Sequence, residues 1–195
     1  MPSNKNQAEF SGQWGWMVRH RMRVMWWALA ALLTAAVLFG WQPHGIWPAT
    51  GRALLAAALI CLGMGLRSWA AGVIHKDGQL ATSGPYALSR HPLYVGSSLT
   101  IVGLGLVASG GFGLVGLLLA AALYLPTLRN EERVLAELFG ESWQAYCQRT
   151  APVGPKTAPQ LSAKWCAKQW WANSEYELWG VLVVLIAGLQ FWASR

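Results

Sequence analysis

With 195 residues, the chain is long enough for a single domain, 1–195, with its own core. Only 12% of the residues are charged and 54% are hydrophobic, whereas soluble domains average about 25% charged residues; the long uncharged runs point to an integral membrane protein. The net charge of +7 argues for anionic headgroups rather than nucleic acid, because the basic residues flank apolar segments instead of lining a polar face. Cys61, Cys147 and Cys166 are odd in number and lack CxxC or metal-type spacing, so they read as reduced and structural, with no metal site.

In chain order, Arg19-His20-Arg21-Met22-Arg23 looks like the cytoplasmic flank of a retained first helix, since no small-residue cleavage site directly follows a short apolar core. The candidate spans are 24–41, 53–74, 93–108, 112–128 and 178–194. Gln42 to Pro48 is a turn-rich break, and His75 to Arg90 is a polar loop. Ser109-Gly110-Gly111 should turn the two middle spans into a tight hairpin, and Pro126 should bend or loosen the end of the second. Residues 129–160 form a polar segment outside the hydrocarbon. It opens with an amphipathic helix carrying Leu135, Leu138, Phe139, Trp143 and Tyr146 on one stripe, broken by Pro152, Pro155 and Pro159. The Trp- and Lys-rich run from Lys164 to Glu177 suits the headgroup layer, and 178–194 either spans or lies in the interface.

The expected fold is therefore all-α and polytopic, with about five transmembrane helices, a helical hairpin and a cytoplasmic cofactor-binding segment. Charge asymmetry orients it. With the N-terminus inside, twelve Lys and Arg residues fall on the cytoplasmic side against Arg52 and Arg195 opposite, with Arg67 inside a span.

Two polar patches then share one membrane surface. In the first, Gly84-Pro85 and His91-Pro92 shape a loop that presents Arg90 and His91, with Tyr94 and Gly96 on the next helical turn. Gly96 permits close approach of a ligand or another backbone. In the second, Glu131 and Glu132 open a helix, where they serve as caps or accept hydrogen bonds from a ligand's ammonium or ribose hydroxyls. Arg67 is the anomaly within a span: it either snorkels to the cytoplasmic edge or faces the pocket.

At these residues the sequence resembles the integral membrane methyltransferases that include isoprenylcysteine carboxyl methyltransferase and the phospholipid N-methyltransferases, as a bacterial member. The matching residues are Gly84-Pro85-Tyr86, Arg90-His91-Pro92-Leu93-Tyr94-Val95-Gly96, Glu131-Glu132, Leu135, Phe139-Gly140, Tyr146, Pro152 and Pro155, over roughly residues 60–155. The resemblance implies S-adenosylmethionine as methyl donor, S-adenosylhomocysteine as product and no metal. It implies cofactor contacts at Gly63, Gly65, Tyr86, His91, Pro92, Tyr94, Gly96, Glu131, Glu132, Phe139 and Tyr146, with Arg90 and Arg129 as catalytic candidates. Trp143 departs from a common Tyr, Thr150-Ala151-Pro152 replaces a Val-Pro ending, and the Trp-rich tail lies outside the shared core.

The implied reaction is methyl transfer to a lipophilic or membrane-associated small molecule, of prenylcysteine-like carboxylate or phospholipid amine type, at the cytoplasmic face of a bacterial inner membrane. Such an in-line displacement needs positioning in a dry site above all. Membrane lipids are the expected surroundings and nucleic acid is not an expected partner. Two alternatives stand beside it: an NADPH-dependent membrane reductase of sterol or steroid type, which also carries an Arg-His-Pro-x-Tyr loop, and a non-catalytic membrane binding protein.

Overall fold

Uncharged sequence of bilayer length becomes helix in the computed structural model, which describes residues 50–74, 79–108 and 110–195. Two compact units divide the chain, Met1–Gln42 and Pro43–Arg195, and every described residue belongs to the second. The expected span 24–41, together with His20, His44 and His75, lies outside the described residues. The described elements are helices α1 (Gly51–Val73), α2 (Pro85–Leu88), α3 (Pro92–Ala108), α4 (Gly110–Arg149), α5 (Ala167–Ala172) and α6 (Glu175–Ala193). Among the described residues there is no strand, only an isolated antiparallel bridge between Thr150 and Pro155.

α1 begins where Thr50, extended, accepts the Ala53 N–H on its hydroxyl at 3.3 Å, a standard helix start. Its 23 residues rise about 34 Å, enough for a hydrocarbon core of about 30 Å. α1 and α6 are both long and apolar enough to cross a membrane, while α3 is apolar but only 17 residues long. Large apolar side chains stay exposed on α1, α4 and α6, among them Leu62 at 64%, Leu118 at 61% and Val184 at 71%; lipid is a solvent in which that exposure carries no penalty.

Small residues draw α1 and α3 together. A methyl group on Gly63 would stand 2.5 Å from the Gly96 carbonyl oxygen, and one on Gly103 would stand 2.8 Å from the Ala56 carbonyl oxygen, so the two backbones touch. Gly63→Ala should therefore push the helices apart and cost about 1–3 kcal/mol, measurable as a lower melting temperature in detergent; an unchanged melting point would contradict this packing. α6 closes the group, with Leu178, Leu182, Ile186 and Leu189 set on Ile60, Met64 and Val107.

α3 and α4 pack against each other; Ser109 of the expected Ser109-Gly110-Gly111 turn lies outside the described residues. α4 departs from expectation in its length. It runs 40 residues, through Pro126, and its backbone leaves helical geometry only at Gly140, with φ 47°. The span and the amphipathic segment are thus one helix as far as Gly140. The onset of charge at Arg129 marks where the apolar surface ends, and a backbone ladder can continue past that point. Pro126 removes one hydrogen bond from a long ladder without ending it, whereas the kink at Gly140 uses a backbone region that L side chains rarely enter. The predicted apolar stripe is also uneven, since Leu138 is 60% exposed while Trp143 and Tyr146 are buried. Pro152 ends the helix as expected, after Arg149.

Residues 150–166 then return alongside α1 without forming a helix. The last carbonyls of a helix lack intrahelical donors, and here the C-terminal segment supplies them. The Cys166 N–H donates to Gly72 at 2.9 Å and the Asn173 side-chain amide to Ala71 at 2.8 Å. The Trp165 indole N–H donates to the Ser68 carbonyl at 3.0 Å, and that of Trp179 to the Ser68 hydroxyl at 3.0 Å.

Candidate active site

The loop between α1 and α3 is held from both sides. Gly84, with φ 63°, donates its N–H to the Gln160 carbonyl at 2.8 Å, and the Arg90 N–H donates to Ala151 at 3.0 Å. The Ser89 hydroxyl donates to the Pro152 carbonyl at 2.6 Å and accepts the His91 N–H at 3.1 Å. The Tyr146 hydroxyl, at the far end of α4, donates to the Tyr86 carbonyl at 2.7 Å. Arg90 and His91 are thereby aimed at α4.

There the two polar patches meet. His91 Nε2 lies 2.9 Å from Glu132 Oε1, and Arg90 Nη2 lies 3.0 Å from the same oxygen. The Tyr94 hydroxyl, one turn into α3, donates to Glu131 Oε1 at 2.7 Å. Tyr124 packs edge-on against Tyr94 at 4.9 Å between ring centres. Arg90 is enclosed further: its guanidinium sits 5.6 Å above the Trp143 ring and donates to Cys147 Sγ at 2.6 Å. Glu132 therefore balances Arg90, while Glu131 has a hydroxyl partner but, among the described residues, no cation.

A second polar group lies beside the first. Arg67 grips Glu175, at the start of α6, through Nη2–Oε1 at 2.6 Å and Nε–Oε2 at 3.3 Å. Its Nη1 donates to the Leu93 carbonyl at 3.1 Å and to the Ser97 hydroxyl. Both side chains are largely buried, 15% and 4% exposed. Of the two expectations for Arg67, facing inward is the one realised, and its counter-ion comes from the tail beyond the motifs.

Other expected residues take varied places. Gly63 and Gly96 form the α1–α3 contact, and Gly65 sits on an open face of α1. Pro92 is buried at the start of α3, and Phe139 is half-buried beside the Gly140 kink. Tyr146 is buried with its hydroxyl committed to the loop. Arg129 is exposed, so Arg90 is the candidate arginine that the fold encloses. Cys61 and Cys166 are exposed, so the structural role expected of the cysteines is visible only at Cys147, beneath Arg90. Tyr124, Cys147 and Glu175 complete the site without having been singled out for it. Only Glu175 left a trace: a buried arginine in a span requires an anion, and acids opening the last span were available to supply it.

Burial, more than any charge, raises the hydroxyl pKa of Tyr86 and of Tyr146 well above the ordinary tyrosine value, so both remain neutral donors. Tyr146 uses its proton; the Tyr86 hydroxyl and Arg90 Nε are buried with no partner among the described residues. An unmet buried donor costs about 1–3 kcal/mol, and two on one loop mark a surface built to meet something else. The unbalanced Glu131 carboxylate and the unmet Arg90 Nε–H are a fitting environment for a compact, net-cationic cofactor carrying a hydrogen-bond acceptor. Among the described residues no three His, Cys, Asp or Glu side chains are grouped to hold a metal ion.

Comparison with known proteins gives this geometry a context. A family model described as phospholipid methyltransferase matches residues 51–142, which include the α1–α3 seam, the His-Pro loop and both glutamates. The chain is 39% identical over 147 residues, 72% of this chain and 66% of that protein, to the cobalt-zinc-cadmium resistance protein CzcN of Cupriavidus metallidurans. It is 34% identical over 150 residues, 72% of this chain and 67% of that protein, to the nickel-cobalt-cadmium resistance protein NccN of Alcaligenes xylosoxydans xylosoxydans. The chain thus spans about two thirds of the length of these relatives. No solved structure matches it.

Proposed function

We propose, on the premise that this chain belongs to the phospholipid methyltransferase family, that it is a membrane enzyme transferring a methyl group from S-adenosylmethionine to a lipophilic acceptor. The observation that carries this is the meeting of His91, Arg90 and Tyr94 with Glu132 and Glu131, at 2.9, 3.0 and 2.7 Å, across 37 to 42 residues of sequence. Bound there, S-adenosylmethionine would supply a methyl group on a positively charged sulfonium. Glu131 offers the unbalanced negative charge to its cationic groups. Glu132 fixes Arg90 and His91 in place, and Tyr94 orients Glu131. Trp143 and the strap at 150–160 cover Arg90 and keep water out, so that positioning does most of the catalytic work.

The pairing of Arg90 also bears on the acceptor. A carboxylate acceptor needs a free guanidinium for bidentate contact, and both enclosed arginines, Arg67 and Arg90, already have carboxylate partners. An amine that reaches the site deprotonated needs none, which favours the amine type over the prenylcysteine-like carboxylate. Five spans, with the N-terminus and the site on the cytoplasmic side of an inner membrane, remain the topology supported by the charge asymmetry. The relatives' names support a setting in resistance to cobalt, zinc, cadmium or nickel, where remodelling of a membrane lipid is the step assigned here.

Purified protein should be stabilised by S-adenosylhomocysteine and not by NADPH. At a hundredfold excess over the dissociation constant, the gain is about 2.7 kcal/mol, read as a melting-temperature rise of several degrees. Stabilisation by NADPH alone would favour the reductase alternative, and stabilisation by neither would favour a non-catalytic binding protein.

A further inference from the structure

The Tyr86 hydroxyl stands apart from the donor contacts. Its ring is packed among Ala70, Val73, Trp69 and Leu93, 7% exposed. Its electrostatic neighbours are Tyr146, Glu131 and the Arg67–Glu175 pair. Nearby polar groups are already engaged: Arg67 through Nε and both Nη atoms, the Ser97 hydroxyl on Leu93 at 2.9 Å, and the Tyr146 hydroxyl on the Tyr86 backbone. The Tyr86 O–H is, with Arg90 Nε and Trp170 Nε1, one of the buried side-chain donors left without a partner among the described residues. Val73, Ala81 and Ala163 belong to the same apolar cluster as Tyr86 and also wall an open cavity of about 190 Å³ at the end of α1, so the cluster that holds the ring borders an opening.

We propose that this position is the acceptor subsite, in which the Tyr86 hydroxyl donates a hydrogen bond to an uncharged oxygen, carbonyl or ether, of a lipophilic methyl acceptor. The argument rests on the methyltransferase reading and adds the acceptor's chemistry to it. Arg67 and Glu175 cancel each other's charge, so a negatively charged group entering here would meet no free cation. A positively charged group would compete for Glu131, the carboxylate that the donor's cationic groups need. A neutral oxygen fits a neutral, permanently protonated donor beside a closed ion pair, and the apolar collar of Val73, Trp69 and Leu93 suits a lipophilic body.

The test is Tyr86→Phe, which removes one oxygen and keeps the ring in its packing. Full-length wild-type and variant protein in lipid nanodiscs are given methyl-labelled S-adenosylmethionine and a bacterial total lipid extract, and S-adenosylhomocysteine binding is titrated separately. The variant should melt no lower than wild type and bind S-adenosylhomocysteine within about twofold. It should label lipid about tenfold more slowly at low extract concentration, with the deficit closing as extract is raised. Two results overturn the proposal: S-adenosylhomocysteine binding weakened several-fold, which gives the hydroxyl to the donor, or wild-type labelling at every extract concentration, which makes it idle. Absence of S-adenosylhomocysteine binding by the wild-type chain itself removes the methyltransferase reading and the subsite together, and is distinct from both.

Discussion

Glu175→Ala should destabilise the protein by about 3–5 kcal/mol, the usual cost of stripping one partner from a buried ion pair. Two guanidinium nitrogens of Arg67 rest on the Glu175 carboxylate, at 2.6 and 3.3 Å, in surroundings that leave the glutamate 4% exposed. The truncation leaves that cation with only the Leu93 carbonyl and the Ser97 hydroxyl. It also removes an acid from the first turn of α6, where the helix dipole favours one. The double variant Arg67→Met, Glu175→Met discriminates between loss of a pair and loss of a residue. It should recover much of the stability, because replacing both charges by apolar groups of similar size abolishes the unpaired cation. Thermal unfolding in detergent would measure both variants. A loss below about 1 kcal/mol for Glu175→Ala would mean that the pair is not closed in the folded protein.

The same pair shows why parts of this fold were legible in the sequence and parts were not. An uncharged run has ends that can be read, so the expected 53–74 became Gly51–Val73 and the expected 178–194 became Glu175–Ala193. Pro152 disfavours helical backbone at the residue before it, in keeping with the end at Arg149. The approach of the two patches follows from the packing of α3 against α4, which carry one patch each. Arg67 was visible as an anomaly, yet its partner lies 108 residues away, and no spacing rule tells which face of one span another presents. Gly63 illustrates a different ambiguity: a small residue for close helix packing and a small residue for a cofactor leave the same letter, and only the contact with Gly96 assigns it to packing. The continuity of α4 was hidden for a third reason. Charge marks where hydrocarbon ends, while helix ends are set by backbone geometry at residues such as Gly140.

Glu131→Gln and Glu132→Gln should separate the two roles inside the site. Both change a carboxylate to an amide of the same shape on an accessible helix face, with Glu132 31% exposed, so neither should cost more than about 1 kcal/mol of stability. Glu131 is the carboxylate without a cationic partner among the described residues. Its neutralisation removes a charge-assisted contact of about 1.5–3 kcal/mol, and S-adenosylhomocysteine binding should weaken roughly 10- to 150-fold. Glu132 already holds Arg90 and His91, so Glu132→Gln should act by loosening those two side chains. Its loss of binding should be smaller, and labelling of lipid should fall further than binding does. His91→Ala is the poorer probe, because His91 is only 6% exposed and its truncation would open a cavity beneath the loop. Isothermal titration of the two glutamine variants against wild type decides the matter. Equal and full affinity in both would move the donor away from these glutamates, and a larger loss at Glu132 would reverse the roles given to the two carboxylates.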